Sequence, residues 1–183
     1  FQETKKEIIS DGFLRSLDPK NIFSWQFLPA VGSAGGIFIG LKKDKFDVIG
    51  FANNRFSIKA TVKNKSDGFL WHLVIVYGSS YPEFKLDCIS KLHDGFVSNS
   101  YPFLICGAFN LIRGNNEKST GLVDQKSALL FNDWINRWNL MEIFVSNRKY
   151  TWSNNQENPG FAVLDRIFTS LDWDAHFPMS SLV

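Results

Sequence analysis

Apolar residues along this chain fall into two rhythms, and their alternation predicts an α/β protein. Ile8, Ile9, Phe13, Leu14 and Leu17 recur at three- and four-residue spacing, predicting an opening helix that Asp18-Pro19 closes and Gly12 weakens. Pro29 to Gly36 reads as a glycine-rich loop entering a strand at Ile37–Leu41, with a turn at Lys42–Lys45. Phe56, Ile58, Ala60 and Val62 alternate with Ser57, Lys59, Thr61 and Lys63, the signature of a strand with one buried and one polar face. From Phe69 to Tyr77 nearly every residue except His72 is apolar, and such a strand belongs at the centre of a sheet covered on both sides. Residues 84–97 predict a helix, and Tyr101 to Cys106 a second buried strand. Asp124 is placed to cap a helix carrying Leu129, Leu130, Trp134, Ile135 and Trp138. Two more strands are expected around Lys149–Ser153 and Val163–Ser170. Elements alternating in blocks give an α/β sandwich, sheets inside and helices outside, and with no linker or internal repeat residues 1–183 read as one domain.

Composition narrows the class. Hydrophobic residues at 44% and charged residues at 21% exclude a wholly disordered chain, and 18 Phe with 6 Trp supply ample ring area for a core. A net charge of +2 gives no whole-molecule field for gathering nucleic acid, leaving only local basic patches. No apolar run approaches the ~20 residues that span a bilayer, so no membrane partner is expected, and no stable protein partner is expected either. Cys88 and Cys106 lack neighbours at metal-ligand spacing and read as buried, reduced thiols of an intracellular protein. The glycines between Gly32 and Gly36 precede a strand and lack a following Gly-Lys-Ser/Thr, so they are neither a phosphate loop nor a dinucleotide fingerprint. His72 reads as a satisfied core histidine, His93 has no partner in register, and His176 can touch a carboxylate but reads better as a turn-capping residue.

What remains is polar chemistry at strand ends. Gln2-Glu3-Thr4-Lys5 carries a carboxylate, and Val76-Tyr77-Gly78 ends the central strand with a phenol. Cys106-Gly107-Ala108-Phe109-Asn110 ends the next strand with an amide, while Tyr150-Thr151-Trp152-Ser153 and Leu164-Asp165-Arg166-Ile167 fall on the last two strands. In a sandwich these ends converge on one mouth. A carboxylate there can hold a hard cation through oxygen, and the groups around it can clamp a phosphodiester.

In order and spacing these segments, with Thr151-Trp152-Ser153-Asn154-Asn155-Gln156 and Asp172-Trp173 the most specific, resemble the endonuclease/exonuclease/phosphatase family. Within it they look most like the apurinic-type endonuclease domain of plant LINE-type non-LTR retrotransposons. The resemblance covers essentially the whole chain. It implies a four-layer α/β sandwich of two packed mixed sheets flanked by helices, and Mg²⁺-dependent (or Mn²⁺-dependent) nicking of DNA in the nucleus. By motif, Glu3 matches the metal-binding glutamate, Tyr77 the tyrosine at the scissile phosphate, and Asn110 the asparagine holding phosphate and water. Thr151 matches a substrate-contacting threonine and Asp165 the aspartate that orients the catalytic histidine.

Two departures lower the activity the resemblance implies. Ala108 stands where the family has the aspartate of Gly-Asp-Phe-Asn, and a methyl group can neither bond nor deprotonate the attacking water. Both ends look cut, so the sandwich is expected to be incomplete at both termini, with the Ser-Asp-His segment absent and metal binding weakened. The expected function is therefore an impaired DNA endonuclease domain. The alternative is a non-catalytic nucleic-acid- or protein-binding remnant of a retroelement. A phosphatase acting on inositol phosphates or sphingolipids is disfavoured by the 151–156 motif.

Overall fold

A computed structural model describes residues 1–31, 34–97 and 101–182. Its strands are β1 (Phe23–Val31), β2 (Ala34–Lys42), β3 (Phe46–Asn53), β4 (Ser57–Asn64) and β5 (Leu70–Tyr77), then β6 (Phe103–Ala108), β7 (Met141–Ile143), β8 (Trp152–Ser153), β9 (Phe161–Ala162) and β10 (Asp165–Thr169). The helices are α1 (Asp11–Leu17), α2 (Pro82–Val97), α3 (Gln125–Arg137) and α4 (Leu171–His176), with one 3-10 turn at Asn115–Glu117.

Six strands form a mixed sheet in the order β3-β4-β5-β6-β10-β7. Only β5 and β6 run parallel, and α2 is the crossover such a pair requires. The run from Phe69 to Tyr77 does become a central strand covered on both sides. Val74 and Val76 pack with Leu92, Phe96, Phe131 and Trp134 beneath α2 and α3. Trp71, Leu73, Ile75 and Tyr77 face the other way, toward Ile37, Ile39 and Leu41 of β2 and Trp173 of α4. Outside β2, Phe38 is 2% exposed, stacks on Trp25 at 4.5 Å and meets Phe13 of α1 at 6.4 Å. The layers are thus helix, six-stranded sheet, β1–β2 ribbon, helix: an α/β sandwich with sheets inside. No helix among the described residues is long and apolar enough to cross a membrane.

Several local expectations are corrected. Among the described residues the sheet packed against the six-stranded one is the antiparallel pair β1–β2. Pro29 to Gly36 is not a loop up to a strand, because Ala30 pairs with Gly35 and Val31 with Ala34; Gly32 and Ser33 lie outside the described residues. Pro29 is tolerated because it sits where the register omits a pair, so no ladder bond needs its missing N–H. β3 was not foreseen: Asp47, an exposed Ile49 and a bulge between Val48 and Gly50 obscure its alternation, as suits an edge strand. The first helix starts only at Asp11, where Ser10 accepts the Phe13 N–H, which leaves Ile8 outside it and exposed. Asp124 does cap α3 through the Ser127 N–H. That phase turns Ala128, Phe131, Trp134 and Ile135 inward and leaves Leu129 at 63% exposure. β8 pairs with β9, a two-residue strand the sequence pattern does not show.

His72 is buried in β5, its Nδ1 3.0 Å from the Thr61 hydroxyl, and burial pushes its pKa down to about 4, with Lys59 adding to the shift. The fold therefore favours neutral imidazole, while the unfolded chain binds its proton near the ordinary value of 6.5. This contribution to stability is complete above pH 6.5 and is lost as pH falls toward 4. Urea midpoints should drop between pH 7 and pH 5 in the unmodified chain, and the drop should shrink in His72→Gln.

Candidate functional site

Register brings three strand ends into one row. Tyr77 of β5 lies opposite Ala108 of β6, and Ala108 lies opposite Asp165 of β10. Cross-strand neighbours present side chains to the same face, so the phenol, the methyl and the carboxylate stand side by side at one edge of the sheet.

The Gln2-Glu3 segment reaches this row from the other sheet. Gln2 bridges to Ile37 of β2, and its side-chain amide crosses the sandwich. Its Oε1 accepts the Ala108 N–H at 3.0 Å, while its Nε2 donates to the Val76 carbonyl. Only glycine fits beneath this clip. At Gly107, φ is +139°, and a Cβ would lie 2.0 Å from the Val76 carbonyl oxygen and 2.2 Å from Gln2 Nε2. Glu3 itself adopts φ +54°, a conformation side chains rarely take. Its Oε1 accepts a hydrogen bond from the Tyr77 hydroxyl at 3.3 Å. Burial, then the charge of Glu3 and this bond, raise the Tyr77 pKa, so the phenol stays protonated and able to donate.

Asn110 follows within two residues of β6. It too sits in the left-handed region, at φ +55°, and its Nδ2 donates to the Gly78 carbonyl at 2.7 Å. Gly78 N–H in turn donates to the Ala108 carbonyl at 2.7 Å, which locks the two strand ends together. Thr151 is fixed differently: its Oγ1 accepts both the Leu164 and Asp165 N–H groups at 2.9 Å, which sets the start of β10. Thus Glu3, Tyr77, Asn110, Thr151 and Asp165 all gather at one rim with Ala108 in their midst. Of these, Thr151 and Asp165 line a cavity of about 430 Å³, with Arg148 and Lys149 on its wall.

The histidines stand apart. His176 touches a carboxylate: its Nε2 is 2.9 Å from Asp67 in the turn before β5, and its ring stacks on Phe69 at 3.6 Å. His93 lies against Trp138. Burial lifts the Cys88 thiol to about 12 and Cys106 to about 11, which keeps both unreactive. Among the described residues no group of three or more His, Cys, Asp or Glu could hold a metal. Glu3 is a single carboxylate donor, which suits at most a hard cation that keeps its waters and is completed by substrate oxygens.

Sequence reasoning missed a charged network behind the row. Arg166 follows Asp165 in β10 and therefore faces the opposite side, where it is fully buried. It donates to Glu142 at 2.7 Å and to Glu117, while Arg113 donates to Glu142 at 2.5 Å and to Asn132 at 2.9 Å. The only signal was an arginine next to Asp165 at strand period.

No protein-family model and no curated protein matches the chain. Solved structures do. It superposes on a 3′ phosphatase, NExo, from Neisseria bound to product DNA hairpin, at TM-score 0.62 and 17% identity over 95% of this chain and 76% of that one. A Bacteroides thetaiotaomicron endonuclease/exonuclease/phosphatase family protein matches at TM-score 0.60 and 12% identity, over 88% of this chain and 66% of that one. This is the endonuclease/exonuclease/phosphatase fold. The fold also appears in the endonuclease domain of TRAS1, a telomere-specific non-LTR retrotransposon, at TM-score 0.58 and 13% identity, over 81% and 68% of the two chains. The chain spans 64% of the human nocturnin catalytic domain, another structure of this fold, at TM-score 0.58 and 13% identity over 86% of this chain.

Proposed function

We propose that residues 1–183 form one domain of the endonuclease/exonuclease/phosphatase family, a Mg²⁺-dependent phosphodiester hydrolase directed at DNA, of the LINE endonuclease kind and acting in the nucleus. The observation that carries this reading is the row Tyr77–Ala108–Asp165 with Glu3 bonded to Tyr77, four motif positions brought to one rim from separate parts of the chain. The fold's occurrence in a phosphatase bound to DNA and in a retrotransposon endonuclease domain supports it.

Each residue has a role within reach. Glu3 would hold Mg²⁺, which when bound supplies charge stabilisation to the phosphoryl oxygens. The protonated Tyr77 hydroxyl, on releasing Glu3 to the cation, would donate to the same phosphate, and Asn110, anchored on Gly78, would steer its neighbour oxygen. Thr151 fixes the backbone from which Asp165 projects. Ala108 supplies nothing: a methyl cannot accept the proton of an attacking water. Loss of a general base alone lowers rate by roughly 10²–10⁴. The reading is therefore an impaired hydrolase, and Ala108 equally favours a second reading, a non-catalytic nucleic-acid-binding remnant.

Conversion of supercoiled plasmid to open circle, with Mg²⁺ against EDTA, tests both. The unmodified chain should nick barely above the EDTA control. Ala108→Asp alone should restore little, because no histidine among the described residues reaches the row. Mg²⁺-assisted DNA binding should persist and weaken in Glu3→Gln. Efficient EDTA-sensitive nicking by the unmodified chain would overturn the impairment. Absence of any DNA binding, with or without Mg²⁺, would overturn the DNA-directed reading itself.

A further inference from the structure

Tyr77 has a second side. Away from Asp165, its ring borders a separate cavity of about 250 Å³ walled by Leu28, Phe56 and Phe84, with Ser79 and Tyr81 at its polar edge. The volume lies below the roughly 300–1,000 Å³ that accepts a drug-sized ligand, room for one ring system and no more. Gly35 lies on the same wall. At φ +86° it faces the Tyr77 ring, which a Cβ would meet at 3.6 Å.

Arg55 stands at the rim already oriented. Its guanidinium lies 4.3 Å from the Phe84 ring centroid and 5.2 Å from that of Phe56. Stacking of this kind holds the planar fork in one attitude, which lowers the entropy lost when it grips an oxyanion. Its one side-chain partner among the described residues is Asp87 at 3.4 Å, and both side chains are substantially exposed, at 53% and 38%. An exposed pair of that length is worth little and exchanges readily for a phosphate.

We propose that this cavity is a nucleotide subsite: it takes the base of the residue adjacent to the phosphate at Tyr77, while Arg55 holds that residue's own phosphate. The inference rests on the DNA-directed reading and extends it to an unpaired base in the substrate strand, because a base stacked and paired within a duplex has no free face to place in this cavity. Apolar and aromatic walls accept the base faces, which is the sequence-tolerant mode of single-strand recognition. Hydroxyls at the edge and one guanidinium complete a site with the polarity of a nucleotide rather than a lipid chain.

Amide chemical shifts of the unmodified chain in EDTA, titrated with deoxythymidine monophosphate, test the subsite without any turnover. The nucleotide should move the amides of Ser79, Tyr81 and Phe84, and inorganic phosphate or thymidine alone should move them less. Anisotropy with a labelled single-stranded 12-mer should show about tenfold weaker binding for Arg55→Ala, the loss of one charge-assisted contact, and a smaller loss for Arg55→Lys. A fully paired 12-mer should bind less well than the single strand. Thermal unfolding of Arg55→Ala should match the unmodified chain, since the residue sits at the surface. Nucleotide-induced shifts confined to Thr151 and Asp165, or equal shifts from phosphate alone, would overturn the subsite and leave the DNA-directed reading standing. No binding of any DNA would overturn that reading.

Discussion

Replacing Arg166 with methionine is expected to destabilise the chain by about 3–5 kcal/mol, the range measured when one partner of a buried ion pair is removed. Methionine fills much of the same volume, so the loss is electrostatic rather than a cavity. Arg166 is completely buried, and its two partners, Glu142 and Glu117, are 7% and 14% exposed. Without it, Glu142 keeps Arg113 and Glu117 keeps the Arg113 backbone N–H, too little for two nearly buried carboxylates. Adding Glu117→Gln to Arg166→Met should recover part of the loss, because an amide costs less to bury than an unpaired carboxylate. Urea unfolding followed by tryptophan fluorescence reads both. A loss below about 1 kcal/mol for the single variant would show that water or rearrangement compensates the charges.

Gly107→Ala is the second large effect. The position combines φ +139° with a Cβ that would press on the Val76 carbonyl and the Gln2 amide. A strained backbone conformation alone costs of order 1–3 kcal/mol, and here the neighbour is backbone of the adjacent strand, which cannot step aside as a side chain would. The variant should lose stability and also the Gln2 clip, so Mg²⁺-assisted DNA binding through Glu3 should fall even at temperatures where the chain stays folded. Gln2→Ala, which leaves the backbone unstrained, should weaken that binding with a smaller loss of stability. Equal binding by Gln2→Ala and the unmodified chain would show that Glu3 is held by its own backbone instead.

Much of the central sheet was legible because its residues declare their environment locally. A run apolar on both faces has one home, and the residues from Phe69 to Tyr77 took it. Asp124 capped as its side chain dictates. The strand-end polar residues were found because Tyr77, Asn110 and Asp165 each close or open an apolar run. The rest was set by partners distant in sequence. α3 carries leucines on more than one face, and only the tertiary contact decided that Phe131 and Trp134, not Leu129, turn inward. Arg166 reads as an ordinary strand charge until Glu142 arrives from β7 and Glu117 from the turn. The left-handed conformations of Glu3 and Asn110 leave no trace in composition, although an asparagine after a strand is the residue that best tolerates one.

The Gln2 clip also has a kinetic meaning. Its amide joins positions 74 and 106 residues away, and the Glu3–Tyr77 bond spans another 74. Contacts of such separation cannot nucleate folding, since the intervening loops must close first. β5, α2 and β6 have to be assembled before the Gln2 amide has anything to hold. The rim should therefore be among the last parts of the molecule to mature, and a partly folded chain would carry a formed sheet with no competence to hold phosphate. DNA binding should then appear in refolding later than the burial of tryptophan, making ligand capture a clock for the final closure of the two sheets.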